Sequence, residues 1–139
     1  MYSRPNGKKP YGISVKVLLT NPEGKMLLLR RSVISTWNPG KYDLPGGKVE
    51  FGERFEEGLK REVEEETGLD IILDGFVGAV EDETDNFRVI HVIMAADSEI
   101  KEIKLSEEHD KYVWADLSEI ETDDLCSYLQ DLFILNVGD

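Results

Sequence analysis

The chain has 139 residues, 40% of them hydrophobic and 32% charged, with a net charge of −13. These values fit one globular domain around one core and exclude a disordered chain. They also exclude a bilayer-spanning segment, which needs an apolar run of about 18 residues, and a nucleic-acid polymer held on a basic face.

Met1 to Pro10 carries Arg4, Lys8 and Lys9 and lacks the apolar stretch of a secretory signal, so a cytoplasmic protein is expected. Residues 11–20 (YGISVKVLLT) are rich in β-branched side chains and predict a strand. Asn21-Pro22-Glu23-Gly24 predicts a turn, and Lys25 to Arg30 the returning strand of a hairpin. Ser32 to Lys41 reads as a loop, and Tyr42-Asp43-Leu44 as a short strand stopped by the turn Pro45-Gly46-Gly47. Arg54 to Thr67 is the clearest helix. Acidic residues crowd its start and Gly68 closes it. Ile71 to Val80 and Phe87 to Ala96 predict two strands joined by a polar turn, and Lys111 to Ala115 a late strand. A last helix is expected over Leu125 to Leu135, with Thr122 to Asp124 as its N-cap region. The class is α/β or α+β, with helices packed on a mixed sheet. The single cysteine, Cys126, excludes an internal disulfide or a thiolate metal site and reads as a packed helix residue.

The Arg54–Thr67 helix carries the chemistry. With Glu62 at 0° on a wheel of about 100° per residue, Phe55, Leu59 and Val63 fall between about 20° and 100°. Glu66 falls at about 40°, inside that apolar stripe, and Glu65 at about 300°, beside it. Three carboxylates on or near the packing face repel one another and lose hydration, and a hard divalent cation with oxygen ligands relieves both costs. The alternative is a solvated acidic face on an acidic protein.

The spacing extends this pattern. Gly47 is followed after five residues by Glu53, and after seven more by Arg61-Glu62-Val63. Glu65-Glu66 and Gly68-Leu69 come next, each after one further residue. This resembles the Nudix box of the MutT-like hydrolases over residues 47–69, with every defining position filled. The resemblance implies a single domain over 1–139 with the Nudix α/β/α sandwich, a mixed sheet between helices. It implies water attack on a phosphorus of a nucleoside diphosphate-linked substrate, with Mg²⁺ or Mn²⁺ required. Glu62, Glu65 and Glu66 match the family's metal-ligand glutamates, and the Gly46 carbonyl a backbone ligand of some members. Arg61 and Glu53 match a pair that orients the catalytic glutamate, so Glu62, Arg61, Glu53 and Glu65 form the expected catalytic set.

Glu62 is expected to be central to metal binding and proton transfer. Glu107 or Glu108, and less favourably Glu81 or Glu83, are candidates for a base outside the box. Arg30, with Arg31 beside it, and Lys48 are candidates for substrate phosphate. Trp37, Tyr42 and Phe87 could stack on a base, but packing roles are favoured for them and for Trp114. His91 reads as a satisfied core histidine, and His109 as part of a polar loop.

The favoured substrate is a small nucleotide, a (d)NTP (including oxidised purines) converted to NMP and pyrophosphate. ADP-ribose or a nucleotide sugar is the alternative, weakly disfavoured because no proline stands at the expected spacing after the box. A non-catalytic nucleotide sensor on the same scaffold is disfavoured because all three box glutamates are present. A monomer and a homodimer both fit.

Overall fold

A computed structural model describes residues 9–99 and 101–137. In chain order its elements are β1 (Tyr11–Leu19), β2 (Met26–Arg31), β3 (Tyr42–Asp43), β4 (Gly46–Lys48), α1 (Phe55–Thr67), β5 (Ile71–Glu83), β6 (Arg88–Ser98), β7 (His109–Ala115) and α2 (Ser127–Val137). Two 3₁₀ turns, Leu117–Glu119 and Thr122–Asp124, precede α2. The strands form a four-stranded sheet, β4-β1-β6-β5, and a three-stranded sheet, β3-β2-β7. β1 runs parallel to β6 and antiparallel to β4, so the larger sheet is mixed, as expected for the α/β class.

Strand alternation produces two cores where composition suggested one. Val15, Val17 and Leu19 of β1 pack with Leu27 and Leu29 of β2 and with Leu59 and Val63 of α1. Leu28 of β2 and Ile93 of β6 face the other way and pack with Tyr128, Leu129 and Leu132 of α2. Helices therefore cover opposite faces, which is the α/β/α sandwich. Among the described residues no helix is long and apolar enough to cross a membrane.

Five expectations change. β1 and β2 do not pair as a hairpin ladder. The Asn21 side chain accepts from the N–H groups of Glu23 and Lys25, each at 3.0 Å, and closes the turn. After the Thr20–Met26 bridge the strands part into different sheets. The turn expected at Gly46-Gly47 is instead strand β4, with Gly46 opposite Lys16 and Gly47 opposite Val15. β5 runs on to Glu83, and the chain reverses at Thr84–Phe87. Thr122–Asp124 forms a 3₁₀ turn of its own, and α2 begins only at Ser127. Phe55, placed on the packing stripe of α1, is exposed, whereas Leu59, Val63 and Glu66 are buried.

Gly46 is the residue the β4 pairing depends on. Its φ is +130°, and a Cβ there would stand 2.1 Å from the Val15 carbonyl oxygen, an atom locked in the sheet. We expect Gly46→Ala to destabilise the fold by about 3 kcal/mol or more in chemical denaturation, because strain and clash add; a loss near zero would mean that β4 can shift without cost.

Candidate active site

A cleft of about 530 Å³ opens beside β4. Alternate positions on two neighbouring strands line it: Ser14 and Lys16 from β1, Val89 and His91 from β6, with Ser14 opposite His91. Trp37 comes from the loop after β2, and Asp82 and Thr84 from the end of β5 and its turn. Glu62 and Glu66 of α1 reach the same space beside the two glycines of β4. A Cβ on Gly47 would meet the Glu62 carboxyl carbon at 3.0 Å, so the missing side chain makes room for that carboxylate.

The box residues interlock. Arg61 donates to both carboxylate oxygens of Glu53, Nε at 2.7 Å and Nη2 at 3.1 Å, while Glu53 also accepts the Glu50 N–H at 2.9 Å. The same guanidinium donates through Nη1 to Glu62 at 3.3 Å and to Glu65 at 3.2 Å. The Arg61–Glu53 fork thus holds a positive charge against Glu62 in fixed orientation. Burial pushes the Glu62 carboxyl above its ordinary range, with Arg61 opposing. Glu66 is 4% exposed, and burial pushes its carboxyl up to about 8, although the Gly46 N–H donates to it at 2.8 Å. Two desolvated carboxylates facing one cleft are a donor set suited to a hard cation. Glu65 is more exposed than either and stays with Arg61 outside the cleft lining. The Gly46 carbonyl accepts from Lys16 Nζ at 3.3 Å.

A buried charge network below the cleft went unread in the sequence. Asp43, fully buried, is paired with Lys16 Nζ at 3.1 Å and with Arg31 Nη1 at 3.3 Å, and accepts the Tyr128 hydroxyl. Burial pushes the Asp43 carboxyl up, but Lys16, the Tyr128 hydrogen bond and Arg31 outweigh it and hold the carboxyl below its ordinary value. Arg31 also donates to the Trp37 carbonyl at 2.7 Å and lies over the Trp37 ring, 4.8 Å from its centroid. The one available signal was the lone charge in Ser14-Val15-Lys16-Val17, a strand otherwise without one.

Arg30, expected at the phosphate, is instead paired with Asp110 at 2.7 Å and is absent from the cleft lining, which Arg31 enters. Consecutive strand residues point to opposite faces, and the ladder shifts register between these two. Lys48 lines the cleft with its ammonium 5.1 Å from the Phe87 ring centroid. Glu108 lines it too, whereas Glu107 is exposed outside it. Neither histidine follows its expected setting. The His91 ring stacks on Tyr128 at 4.1 Å between centroids, but neither ring nitrogen has a hydrogen-bond partner. His109 is buried at the start of β7, and its nitrogens are likewise without partners.

Burial pushes both histidines down to about 4 from an ordinary 6.5. Unfolded chains take up these protons below about pH 6.5 and folded ones do not, so stability falls towards pH 4. Glu66 acts oppositely: its folded value is near 8 against an ordinary 4.5, so stability falls as pH rises between those values. Each group contributes about 1.4 kcal/mol per pH unit within its window. As pH falls below 6.5 the two histidine terms outweigh the opposing Glu66 term, and above it Glu66 lowers stability, with the raised Glu62 acting in the same sense. The EDTA-treated protein should therefore be most stable near pH 6.5, as urea denaturation at pH 5, 6.5 and 8 would show; stability that climbs steadily to pH 8 would contradict the Glu66 assignment.

The family model for the NUDIX domain matches residues 10–132. The chain belongs to the NUDIX family. This NUDIX hydrolase is 31% identical over 121 residues to the nucleoside triphosphatase NudI of Escherichia coli, covering 79% of this chain and 82% of that one. The crystal structure of a MutT protein from Methanosarcina mazei Go1 superposes with a TM-score of 0.85 at 41% identity, covering 92% of this chain and 94% of that one. An ADP-ribose pyrophosphatase from Streptococcus suis matches with a TM-score of 0.67 at 19% identity over 86% of this chain and 82% of that one, a likeness of fold alone. NUDIX hydrolases generally use a divalent metal, and the glutamates of α1 fit that requirement.

Proposed function

We propose that this hydrolase cleaves a nucleoside triphosphate to the monophosphate and pyrophosphate, with Mg²⁺ or Mn²⁺ as cofactor and the whole chain acting as one domain. The observation that carries the reading is the composition of the cleft. Glu62 and Glu66 share one space with Lys16, Lys48 and Arg31, and Trp37 and Phe87 line the same walls. Carboxylates suit a divalent ion, cations suit phosphate oxygens, and aromatic rings suit a base. The resemblance of the sequence to a nucleoside triphosphatase at 31% identity supports the triphosphate over ADP-ribose.

Glu62 and Glu66, with Glu65 beside them, would hold the ion, together with the Gly46 carbonyl if Lys16 yields it. A divalent ion held there would supply the charge that acidifies water and neutralises phosphate oxygens. Glu62 would take the proton of the attacking water: Arg61 fixes its orientation, and burial raises its affinity for protons above that of an ordinary carboxylate. Arg61, held by Glu53, orients Glu62 and limits how far its affinity rises. Lys48 and Arg31 bind phosphate oxygens. The net charge of −13 disfavours a nucleic-acid polymer as substrate.

A panel of nucleoside triphosphates, 8-oxo-dGTP, ADP-ribose and nucleotide sugars, with Mg²⁺ and with EDTA, tests this by product mass. Metal-dependent release of NMP and pyrophosphate is expected. AMP with ribose 5-phosphate would move the substrate to ADP-ribose. Tight binding of one compound without turnover of any would turn the reading into a sensor.

A further inference from the structure

We propose that Asp82 selects the base of the nucleotide by accepting the two neighbouring N–H donors of a guanine edge. The inference rests on the triphosphate reading and deepens it. Strand order places Asp82 for this role. Glu62 and Glu66 reach the cleft beside β4, whereas Asp82 stands on β5, at the far edge of the same sheet. Three strand spacings, about 14 Å, separate the two edges. A nucleotide laid across the strands with its phosphates at β4 therefore brings its base to β5. Asp82 stands opposite Val89 of β6, and both line the cleft.

Asp82 is held in place but left short of partners. Its side chain is 14% exposed, and among the described residues the only basic side chain beside it is His91, with Nε2 3.9 Å from Oδ2. The Ser127 hydroxyl donates to Oδ2 at 2.7 Å and the Glu83 N–H to Oδ1 at 2.9 Å. Each oxygen keeps a further lone pair for a ligand donor. His91 is the second, independent observation. It is 3% exposed and lines the cleft, and neither ring nitrogen has a hydrogen-bond partner. Burial keeps the ring neutral near pH 7, so it carries one N–H and one acceptor.

Base chemistry decides the class. On its pairing edge guanine sets two N–H donors, N1 and N2, side by side, with the acceptor O6 next to them. Adenine and cytosine set one amino group beside a ring nitrogen whose lone pair repels a second carboxylate oxygen. Thymine and uracil flank a single N–H with two carbonyl oxygens. Among these bases guanine alone satisfies both oxygens of Asp82, and the His91 N–H matches O6.

Steady-state kcat/KM for dGTP and dITP tests it, since hypoxanthine differs from guanine only in lacking the 2-amino group. The wild type should prefer dGTP by at least about tenfold. In Asp82→Asn the ratio should fall to within about twofold, because the amide keeps one acceptor in place of two. A merely structural role would lower both nucleotides alike and leave the ratio standing. Asp85→Asn, at the same end of the cleft, should keep the ratio. Equal use of dGTP and dITP by the wild type would overturn the proposal. So would a ratio that survives Asp82→Asn or disappears with Asp85→Asn. Should Asp82→Asn fail to fold, Ser127→Ala removes the anchor of Oδ2 and should lower the ratio by itself; a ratio unmoved there would overturn the proposal too. Failure of the triphosphatase reading is separable. It would leave both triphosphates uncleaved, while calorimetry should still show dGMP binding at least about tenfold more tightly than dIMP.

Discussion

Glu62→Gln should lower kcat by about a hundred- to ten-thousandfold, the range expected when a positioned proton acceptor is removed. Glutamine keeps the shape of the side chain and can still accept from Arg61 Nη1, which now reaches Glu62 at 3.3 Å. It can neither take a proton nor contribute charge to an ion. The fold should survive, because burial already disfavours the charged form of Glu62. The thermal midpoint of the EDTA-treated variant should match or exceed that of the wild type. Near-normal kcat would sink the assignment of Glu62. A collapse of kcat accompanied by a lower midpoint would mean that the Arg61 clamp, not the proton transfer, was lost. The clamp can be tested separately: Glu53 touches Arg61 and lies outside the cleft lining, so Glu53→Gln acts through orientation and should cost less than Glu62→Gln.

Asp43→Asn should be the most destabilising conservative substitution in the chain, at about 3–5 kcal/mol in urea denaturation. Asp43 is fully buried, and its partner Lys16 is 5% exposed at the side chain. Removing the carboxylate leaves the Lys16 ammonium buried with only the Gly46 carbonyl, at 3.3 Å. The one oxygen that asparagine keeps can accept from the Tyr128 hydroxyl or from Lys16 and Arg31, but not from both sides. The double variant Lys16→Met with Asp43→Asn should recover a large part of the loss, because the uncompensated charge disappears with its cause. A single-variant loss within about 0.5 kcal/mol, the range of ordinary surface changes, would show that water reaches Lys16 and screens it. The network also fixes the cleft, since Arg31 ties Asp43 to the Trp37 carbonyl. Asp43→Asn should therefore raise KM for nucleotide as well.

Local signals carried most of the element assignments. α1 was legible because its period, its acidic first turn and its Gly68 stop act within one segment, and Gly68 indeed adopts φ +78° with its N–H on the Glu64 carbonyl. β4 was not legible. Gly46 and Gly47 have low strand propensity, and only the approach of β1 makes them a strand. The hairpin expected of β1 and β2 failed for a related reason: a turn sequence closes one bridge, but the long-range pairings with β6 and β7 decide which sheet each strand joins.

By itself, the sequence determined the family and the carboxylate cluster, because the spacing of Glu53, Arg61, Glu62, Glu65 and Glu66 is a property of one helix and the loop before it. It also determined the burial of Glu66, through the helical period. Only the tertiary structure decided that Arg31 and not Arg30 enters the cleft, that Lys16 and Asp43 form its buried support, and that Glu108 and not Glu107 lines it. The physical reason is sequence distance. Lys16 and Asp43 stand 27 residues apart, so their meeting depends on how the strands are ordered in the sheets, which no local pattern encodes.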